Sequence, residues 1–150
     1  MKNACVAAVL MLCSAIVGTA QTQTAKPLGV ASEHVHRVEI LYFPERILVR
    51  AALTPERLEQ LYKYKLEIRD VRESAEWKRL VPLLQQTSVT TSGRGYDHRT
   101  AVLLFDKDGR RIASMYFDQS STGGTLNGDS GSIGGGIYRW AKSLLKGIAD

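Results

Sequence analysis

Side chains that can transfer protons are concentrated where the chain reads Tyr96-Asp97-His98, and a further carboxyl, Asp118, follows 20 residues after His98. A histidine beside a carboxylate can serve as a general base, because the carboxylate orients the ring and stabilises its charged form. One hypothesis is therefore a small secreted hydrolase that uses His98 with Asp97 or Asp118. That chemistry requires the groups to meet in a pocket, and their positions in the sequence do not establish this.

A serine lies in a glycine-rich context at Gly128-Asp129-Ser130-Gly131. The tetrapeptide resembles the nucleophile loop of trypsin-like serine proteases. That family has two β-barrels, a much longer chain and a different sequence around its histidine, so the resemblance does not extend beyond the tetrapeptide. A serine without a base in hydrogen-bond reach is a weak nucleophile. We expect a turn whose Asp and Ser side chains satisfy the local backbone.

Two histidines, His34 and His36, would share one face of a strand. With Glu33 or His98 they can in principle ligate zinc or copper. A third ligand is not specified, and histidines at the start of a folded domain are more often surface residues. The sequence therefore predicts no metal and no other cofactor.

The segment Asp106-Lys107-Asp108-Gly109 resembles the opening of a calcium-binding loop. Arg110 occupies the third acidic position, and no glutamate follows at the required spacing. Asp-Gly favours the positive φ angles of a tight hairpin turn, so we predict a hairpin with strands over 101–105 and 111–117.

The elements before this hairpin follow from apolar spacing and helix caps. Strands are predicted over 38–43 and 47–49, on either side of a turn. Thr54 can cap a helix that starts at Pro55, and the helix should end near Tyr62. Alternating side chains predict a strand over 64–69.

Later elements include two more helices. A helix begins at Asp70 or Ser74 and buries the stripe Trp77, Leu80, Val81 and Leu84, with Pro82 kinking or shortening it. The closing helix covers 137–148. Residues 85–98 and 119–136 are predicted to be polar, glycine-containing loops. The order predicts an α+β domain, an antiparallel sheet of about five strands with two to three helices packed on it.

The first 20 residues have the three parts of a secretion signal: a basic head, an apolar run and the small residues Gly18-Thr19-Ala20. The apolar run is too short for a membrane span, so we expect cleavage near Ala20 and no membrane-spanning segment. Residues 21–33 are predicted to be a flexible segment, and 34–150 a single domain. Both cysteines, Cys5 and Cys13, lie within the signal, which favours a periplasmic or secreted protein held by packing alone.

The charge of the 150-residue chain is +5, and the basic residues alternate with apolar ones and form no single patch. Such a distribution is typical of solvated faces and, with export, argues against a nucleic-acid partner. Oligomeric state is not encoded in any pattern of this kind.

The signal ending at Gly18-Thr19-Ala20, the α+β body, the hairpin 103–110 and the Gly/Ser loop after Asp118 resemble, at the level of design, the small periplasmic immunity or inhibitor proteins that neutralise secretion-system effectors. The resemblance implies tight binding to a toxic effector or cell-wall hydrolase, without catalysis. The candidate contacts are Tyr96, Asp97, His98, Asp118, Asn127, Asp129 and Ser130. The alternatives are the hydrolase described above and an envelope carrier with an apolar cavity for a small ligand.

Overall fold

The computed structural model describes residues 24–148, so the predicted signal with its two cysteines lies outside the described residues. Strands β1 to β8 cover Lys26–Pro27, Arg37–Tyr42, Tyr64–Ile68, Ser88–Thr91, His98–Phe105, Arg111–Asp118, Gly123–Leu126 and Asp129–Ile133. Helices α1 to α3 cover Pro55–Leu61, Trp77–Gln86 and Ile137–Leu145. Short 3₁₀ turns lie at Ser32–His34 and Val71–Glu73.

The strands form one antiparallel sheet in the order β1-β4-β8-β7-β6-β5-β2-β3. The predicted α+β class, the antiparallel sheet and the helices packed on it are confirmed. The predicted number of strands is wrong, because the sheet contains eight strands and not about five.

Alternation along the central strands gives the sheet two covered faces. In β2, Val38, Ile40 and Tyr42 point to one face, and Leu41 points to the other together with Phe43, which follows the strand. The second half of β2 is therefore apolar on both faces, whereas Arg37 and Glu39 place charges on the second face along its first half.

Helices α2 and α3 cover the first face and form the larger core with β2, β5 and β6. Leu80 and Leu84 from α2 and Trp140 and Leu145 from α3 are buried in this cluster. The indole nitrogen of Trp140 donates a hydrogen bond of 2.8 Å to Glu76. The two helices are therefore joined by a polar contact as well as by apolar packing.

Helix α1 covers part of the second face. The predicted cap is confirmed, since the Thr54 hydroxyl accepts a hydrogen bond from the Arg57 backbone N–H and Pro55 is the first helical residue. Leu53 and Leu58 are fully buried in the same cluster. The helix ends at Leu61, so its predicted end is confirmed to within one residue.

A polar cluster fastens α1 to β6. Both terminal guanidinium nitrogens of Arg111 donate to the Glu59 carboxylate at 2.8 Å, and the Tyr116 hydroxyl donates to the same carboxylate. Burial opposes ionisation of Glu59, but these hydrogen bonds outweigh it and hold its pKa below the ordinary 4.5. Burial and the bond to Glu59 raise the pKa of Tyr116.

The predicted strand over 47–49 is wrong. Ile47 and Val49 are half-buried against the second cluster while Leu48 projects between them, which reproduces the alternation of a strand. No ladder forms there, because β5, on which this segment packs, already pairs with β2 and β6.

The predicted loops 85–98 and 119–136 are also wrong as continuous loops, because β4 lies in the first and the β7–β8 hairpin in the second. The hairpin turn is Asn127-Gly128, with φ of 49° and 92°. Two positive φ angles define the type I′ turn that Asn-Gly favours. At the predicted Asp108-Gly109 turn, φ is positive for Gly109 but not for Asp108. The hairpin itself is present, but its turn does not have the two positive φ angles that were expected.

Glycines let the strands at this end of the sheet approach closely. Gly124 and Gly131 are register partners in the β7–β8 hairpin. A Cβ atom on Gly124 would lie 1.9 Å from the Tyr116 carbonyl oxygen, and one on Gly131 would lie 2.1 Å from that of Thr90. Both contacts are shorter than van der Waals separation, so the backbones would have to move apart.

Two smaller differences concern the ends of elements. Residues 21–33 were expected to be flexible, yet β1 pairs with β4 and Leu28 is only 4% exposed. Asp70, with φ of 46°, precedes the 3₁₀ turn, and α2 begins later, at Trp77. The helix continues four residues beyond Pro82. None of the helices in the described part of the chain is long and apolar enough to cross a bilayer.

We expect Gly124→Ala and Gly131→Ala each to destabilise the protein by at least about 2 kcal/mol, or roughly 6 °C in Tm. The reason is that each new methyl group would collide with a backbone carbonyl of the neighbouring strand, which cannot rotate away as a side chain can. Gly95→Ala is the control, since its Cβ would meet open space and its φ is not positive. Thermal unfolding followed by circular dichroism measures the difference. Equal Tm values for all three variants would contradict the close approach.

Candidate protein-binding site

An ion pair between the buried Arg99 and the half-buried Asp97 lies at the start of β5. The Arg99 side chain is 7% exposed, and its Nε and Nη2 donate to one oxygen of Asp97 at 2.8 and 2.6 Å. Its remaining terminal nitrogen, Nη1, donates to the Ile47 carbonyl oxygen at 3.0 Å. The other Asp97 oxygen accepts from the Leu53 backbone N–H at 2.7 Å. One ion pair therefore holds the chain near both Ile47 and Leu53.

His98 reinforces the second of these points. Its backbone N–H and its Nδ1 both lie within hydrogen-bond distance of the Leu53 carbonyl oxygen, at 3.0 and 2.9 Å. A carbonyl oxygen can only accept, so Nδ1 carries the proton and Nε2 accepts from the Thr125 hydroxyl at 3.0 Å. Burial lowers the pKa of His98 below the ordinary 6.5.

The chain between these anchors, residues 45–52, forms an exposed loop that we call the anchored loop. Its tip residue, Leu48, is 92% exposed. Ile47 and Val49 on either side pack partly into the cluster beneath α1. At the entrance, Glu45 accepts a hydrogen bond from Lys142 of α3 at 3.4 Å. The loop is thus fixed at both ends and presents one large apolar side chain to solvent.

Four of the seven predicted contacts come together near this anchor. The rings of Tyr96 and His98 lie 6.4 Å apart, and His98 is the register partner of Asp118. Thr125 joins His98 to Ser130, whose hydroxyl lies 3.2 Å from that of Thr125. The Tyr96 ring covers Gly123, where a Cβ atom would lie 2.3 Å from the ring. Beyond α1, this part of the second face carries hydroxyl side chains.

The other three predicted contacts have structural partners. Asp97 belongs to the anchor described above. The Asn127 amide oxygen accepts from the Ser114 backbone N–H at 2.8 Å and its nitrogen donates to Leu28. Asp129 pairs with Lys26 and points to the opposite face from Ser130, because neighbouring side chains of a strand alternate. Asp129 and Ser130 do not contribute to one surface.

Catalysis through His98 is not favoured by this geometry. Both ring nitrogens are engaged, and the hydroxyl bonded to Nε2 is that of Thr125, which is 6% exposed. The Asp118 oxygen Oδ1 accepts from the backbone and the hydroxyl of Ser120. A general base has to reach a nucleophile or substrate proton that solvent and substrate can approach, and the buried Thr125 hydroxyl is not such a group. The arrangement is that of a structural histidine.

The predicted metal-ligand candidates are partly brought together. Glu33, His34 and His36 line one cleft beside the β5–β6 turn, whereas His98 is buried against Leu53. An adjoining open cleft of about 380 Å³ is lined by charged side chains that include Arg37, Asp70 and Lys107. Within residues 24–148, no group of three His, Cys, Asp or Glu side chains is placed to hold a metal ion.

The anchored loop and Arg99 were missed by the sequence reasoning. Two signals were available. Asp97 and Arg99 are two apart at the start of an apolar strand, where side chains two apart share a face. The second signal is weaker: the apolar triplet 47–49 lies between Arg46 and Arg50, and this pattern fits an exposed loop as well as a short strand.

No family model, curated protein or solved structure matches the chain. Functional assignment therefore depends on the geometry alone.

We expect Asp97→Ala to destabilise the protein by about 3 kcal/mol, because it leaves the Arg99 guanidinium buried without its carboxylate. Urea unfolding measures the loss, and hydrogen exchange should accelerate over residues 45–53. Arg79→Ala is the control, since it breaks an exposed pair with Glu76 and should cost less than about 1 kcal/mol. Equal losses of stability in the two variants would show that the Asp97–Arg99 pair contributes no more than an exposed ion pair.

The free energy of unfolding should depend on pH through His98. Its folded-state pKa is lowered below 6.5 by burial, so the unfolded chain binds more protons once the pH falls below that value. The contribution of His98 to the free energy of unfolding is therefore fully present above pH 6.5 and is lost as the pH falls below that value. Between about pH 7.5 and 5.5 the wild-type protein should lose more stability than His98→Asn, which removes the titration. Parallel curves for the two proteins would contradict this assignment.

Proposed function

We propose that this chain is an exported binding protein that inhibits a toxic effector or hydrolase, and that the anchored loop, residues 45–52, makes the principal contact. The observation that carries the proposal is the combination of a 92% exposed Leu48 with a buried guanidinium, that of Arg99, which holds the adjacent Ile47 carbonyl.

The energetic argument concerns the anchor. Burying a guanidinium is costly unless it is paired, and an apolar substitute would often stabilise a fold equally well. A single exposed leucine would be unremarkable on its own, since soluble proteins expose many apolar atoms. An exposed leucine whose neighbouring backbone is fixed by a buried charge is a different arrangement, because it holds a recognition element in one conformation.

A loop that is fixed in its bound conformation binds more tightly than a flexible one of the same composition. The loss of backbone and side-chain freedom is met during folding and not at the moment of binding. A convex loop with one projecting apolar side chain fits a concave enzyme cleft, where a central buried residue supplies most of the affinity. This matches the function that the resemblance to immunity and inhibitor proteins implies.

The charges around the tip favour an acidic rim on the partner. Arg46 and Arg50 are exposed on either side of the apolar triplet. Cationic side chains at the edge of an interface accelerate association with an acidic surface and suppress association with a basic one. We therefore expect the partner's cleft to be apolar at its centre and acidic at its edge.

The two alternatives have less support. A hydrolase that uses His98 would need an accessible hydroxyl or water at Nε2, whereas the hydroxyl bonded there is that of the buried Thr125. A small-ligand carrier would need an apolar cavity, whereas the cleft beside Arg37, Asp70 and Lys107 is lined by charged groups.

Affinity capture with the C-terminally tagged protein from an envelope extract of the source organism, followed by mass spectrometry and an activity assay, tests the proposal. We expect one hydrolase or toxic effector to be captured in stoichiometric amount and to lose activity when the purified protein is added. Leu48→Asp should weaken that inhibition by at least about 30-fold, because it places a charge where the partner's pocket is apolar.

The control is Ile148→Asp, which changes an exposed apolar residue beyond the end of α3 and should leave inhibition unchanged. Ser130→Ala tests the hydroxyl-bearing part of the face separately. If Leu48→Asp inhibits as well as wild type while Ser130→Ala does not, the contact lies on the β7–β8 hairpin and the anchored loop is not the binding element. Capture of a partner whose activity is unaffected would contradict inhibition itself.

A further inference from the structure

One edge of the sheet is open to another strand. In the described residues β3, Tyr64–Ile68, pairs with β2 and has no neighbour on its other side. Two hydrogen bonds at the end of β2 show which of its residues face β3. The Phe43 N–H donates to Arg99 of β5, whereas the Tyr42 carbonyl accepts from Lys63, on the side of β3. Backbone groups alternate in direction along an antiparallel strand, so Tyr64, Leu66 and Ile68 bond to β2. The N–H and C=O groups of Lys65 and Glu67 therefore point away from the sheet.

The opposite edge does not offer the same opportunity. It is formed by β1, which has only two residues, and the second is Pro27. Proline has no N–H to donate, and such a short strand gives little to pair with. An incoming strand therefore has one suitable edge among the described residues, and that edge is β3.

The sequence of β3 is complementary to itself in antiparallel orientation. If two copies pair about a twofold axis through Leu66, each Lys65 lies opposite a Glu67 and each Tyr64 lies opposite an Ile68. The Lys65–Glu67 positions become hydrogen-bonded pairs that exchange two main-chain bonds each, and the two Leu66 residues form the close pair with Cα atoms about 4.5 Å apart. Opposite charges directly across a ladder are stabilising.

The two faces of the strand also match the pairing. Tyr64, Leu66 and Ile68 are half-buried at the margin of the larger core. Just before the strand, Leu61 and Tyr62 are 39% and 38% exposed. A second copy would extend the core across the axis and remove apolar surface on both chains from water.

The charged face is already arranged as a network that can accept further partners. Lys65 lies 3.0 Å from Glu39, and Glu67 lies 2.6 Å from Arg69. A lysine on an edge strand commonly prevents pairing. Within β3 the alternation of sign means that an antiparallel copy places opposite charges together at Lys65 and Glu67, so the protection by lysine fails for this one partner. Lys63 and Arg69, which flank the strand, face each other in this register and set a limit on how far the ladder extends.

We propose that two copies of this chain associate through β3, antiparallel and in register about Leu66, and join their sheets into one. This inference does not rest on the anchored loop, and a monomeric result would leave the proposed inhibition untouched. It identifies the kind of partner by charge and register: a second copy of the same strand.

Sedimentation velocity and light scattering on the tagged full chain, purified after any natural processing, test the proposal between about 1 and 500 μM. We expect a reversible monomer–dimer equilibrium. Lys65→Glu and Glu67→Lys should each weaken dimerisation at least about 10-fold, because each places like charges opposite one another at two positions. The double variant with both changes restores the complementarity and should recover the dimer.

Two further variants separate the interface from folding. Lys65→Pro removes an outward N–H that the bond to β2 does not use, so the fold should persist, by circular dichroism, while the dimer is lost. Arg94→Glu makes the corresponding charge reversal in the exposed segment between β4 and β5, away from the cleft that Glu67 lines, and should dimerise as wild type. A wild-type protein that is monomeric at about 500 μM, or a dimer unaffected by both single charge reversals, would overturn the proposal.

Discussion

A guanidinium group cannot shed its charge, so the buried Arg99 side chain has to be surrounded by acceptors wherever the chain places it. That constraint fixes the position of Asp97, of the Ile47 carbonyl and, through Asp97, of the Leu53 N–H. Arg99 is also the extra residue at the register shift between His98 and Thr100, and it lies over the Phe43 ring at 5.4 Å. The anchored loop, the start of β5 and the support beneath α1 therefore depend on one charge.

The two faces of the sheet differ in the side chains that they carry. The face beneath α2 and α3 is a continuous apolar core. The other face is apolar only where α1 and the anchored loop cover it, and further along it carries the hydroxyls of Thr125 and Ser130. The first face buries the larger set of apolar side chains, and the second holds charged and hydroxyl groups beside its smaller apolar cluster.

The sequence was sufficient where the local signal and the packing agree. The Thr54-Pro55 cap, the alternation over β3 and the apolar stripe of α3 predicted elements that are present, because each pattern needs only nearby residues. The β7–β8 hairpin was missed because its glycines have low strand propensity, and what permits the strand is close backbone approach. Asn127-Gly128 was the available turn signal, and it was read as part of a loop.

The candidate site was predicted in part, since Tyr96, His98, Asp118 and Ser130 do converge, but the residues that project from it were not found. The reason is that Ile47-Leu48-Val49 is an apolar run after a turn, which favours a strand, and only the tertiary structure shows that β5 has no free edge for it. The hydrogen bond from Arg99 to the Ile47 carbonyl, 52 residues earlier in the chain, likewise cannot be inferred from the sequence.

The anchor binds main-chain atoms of the loop and leaves the side chains at its tip unconstrained. The Arg99 guanidinium recognises the Ile47 carbonyl, which every amino acid carries, and the tip side chain of Leu48 makes no demand on the core. Substitutions at positions 46, 48 and 50 can therefore accumulate at little cost in folding. Under the proposed function, the contact surface can therefore change residue by residue to match a new partner, while selection for a stable fold acts elsewhere in the chain.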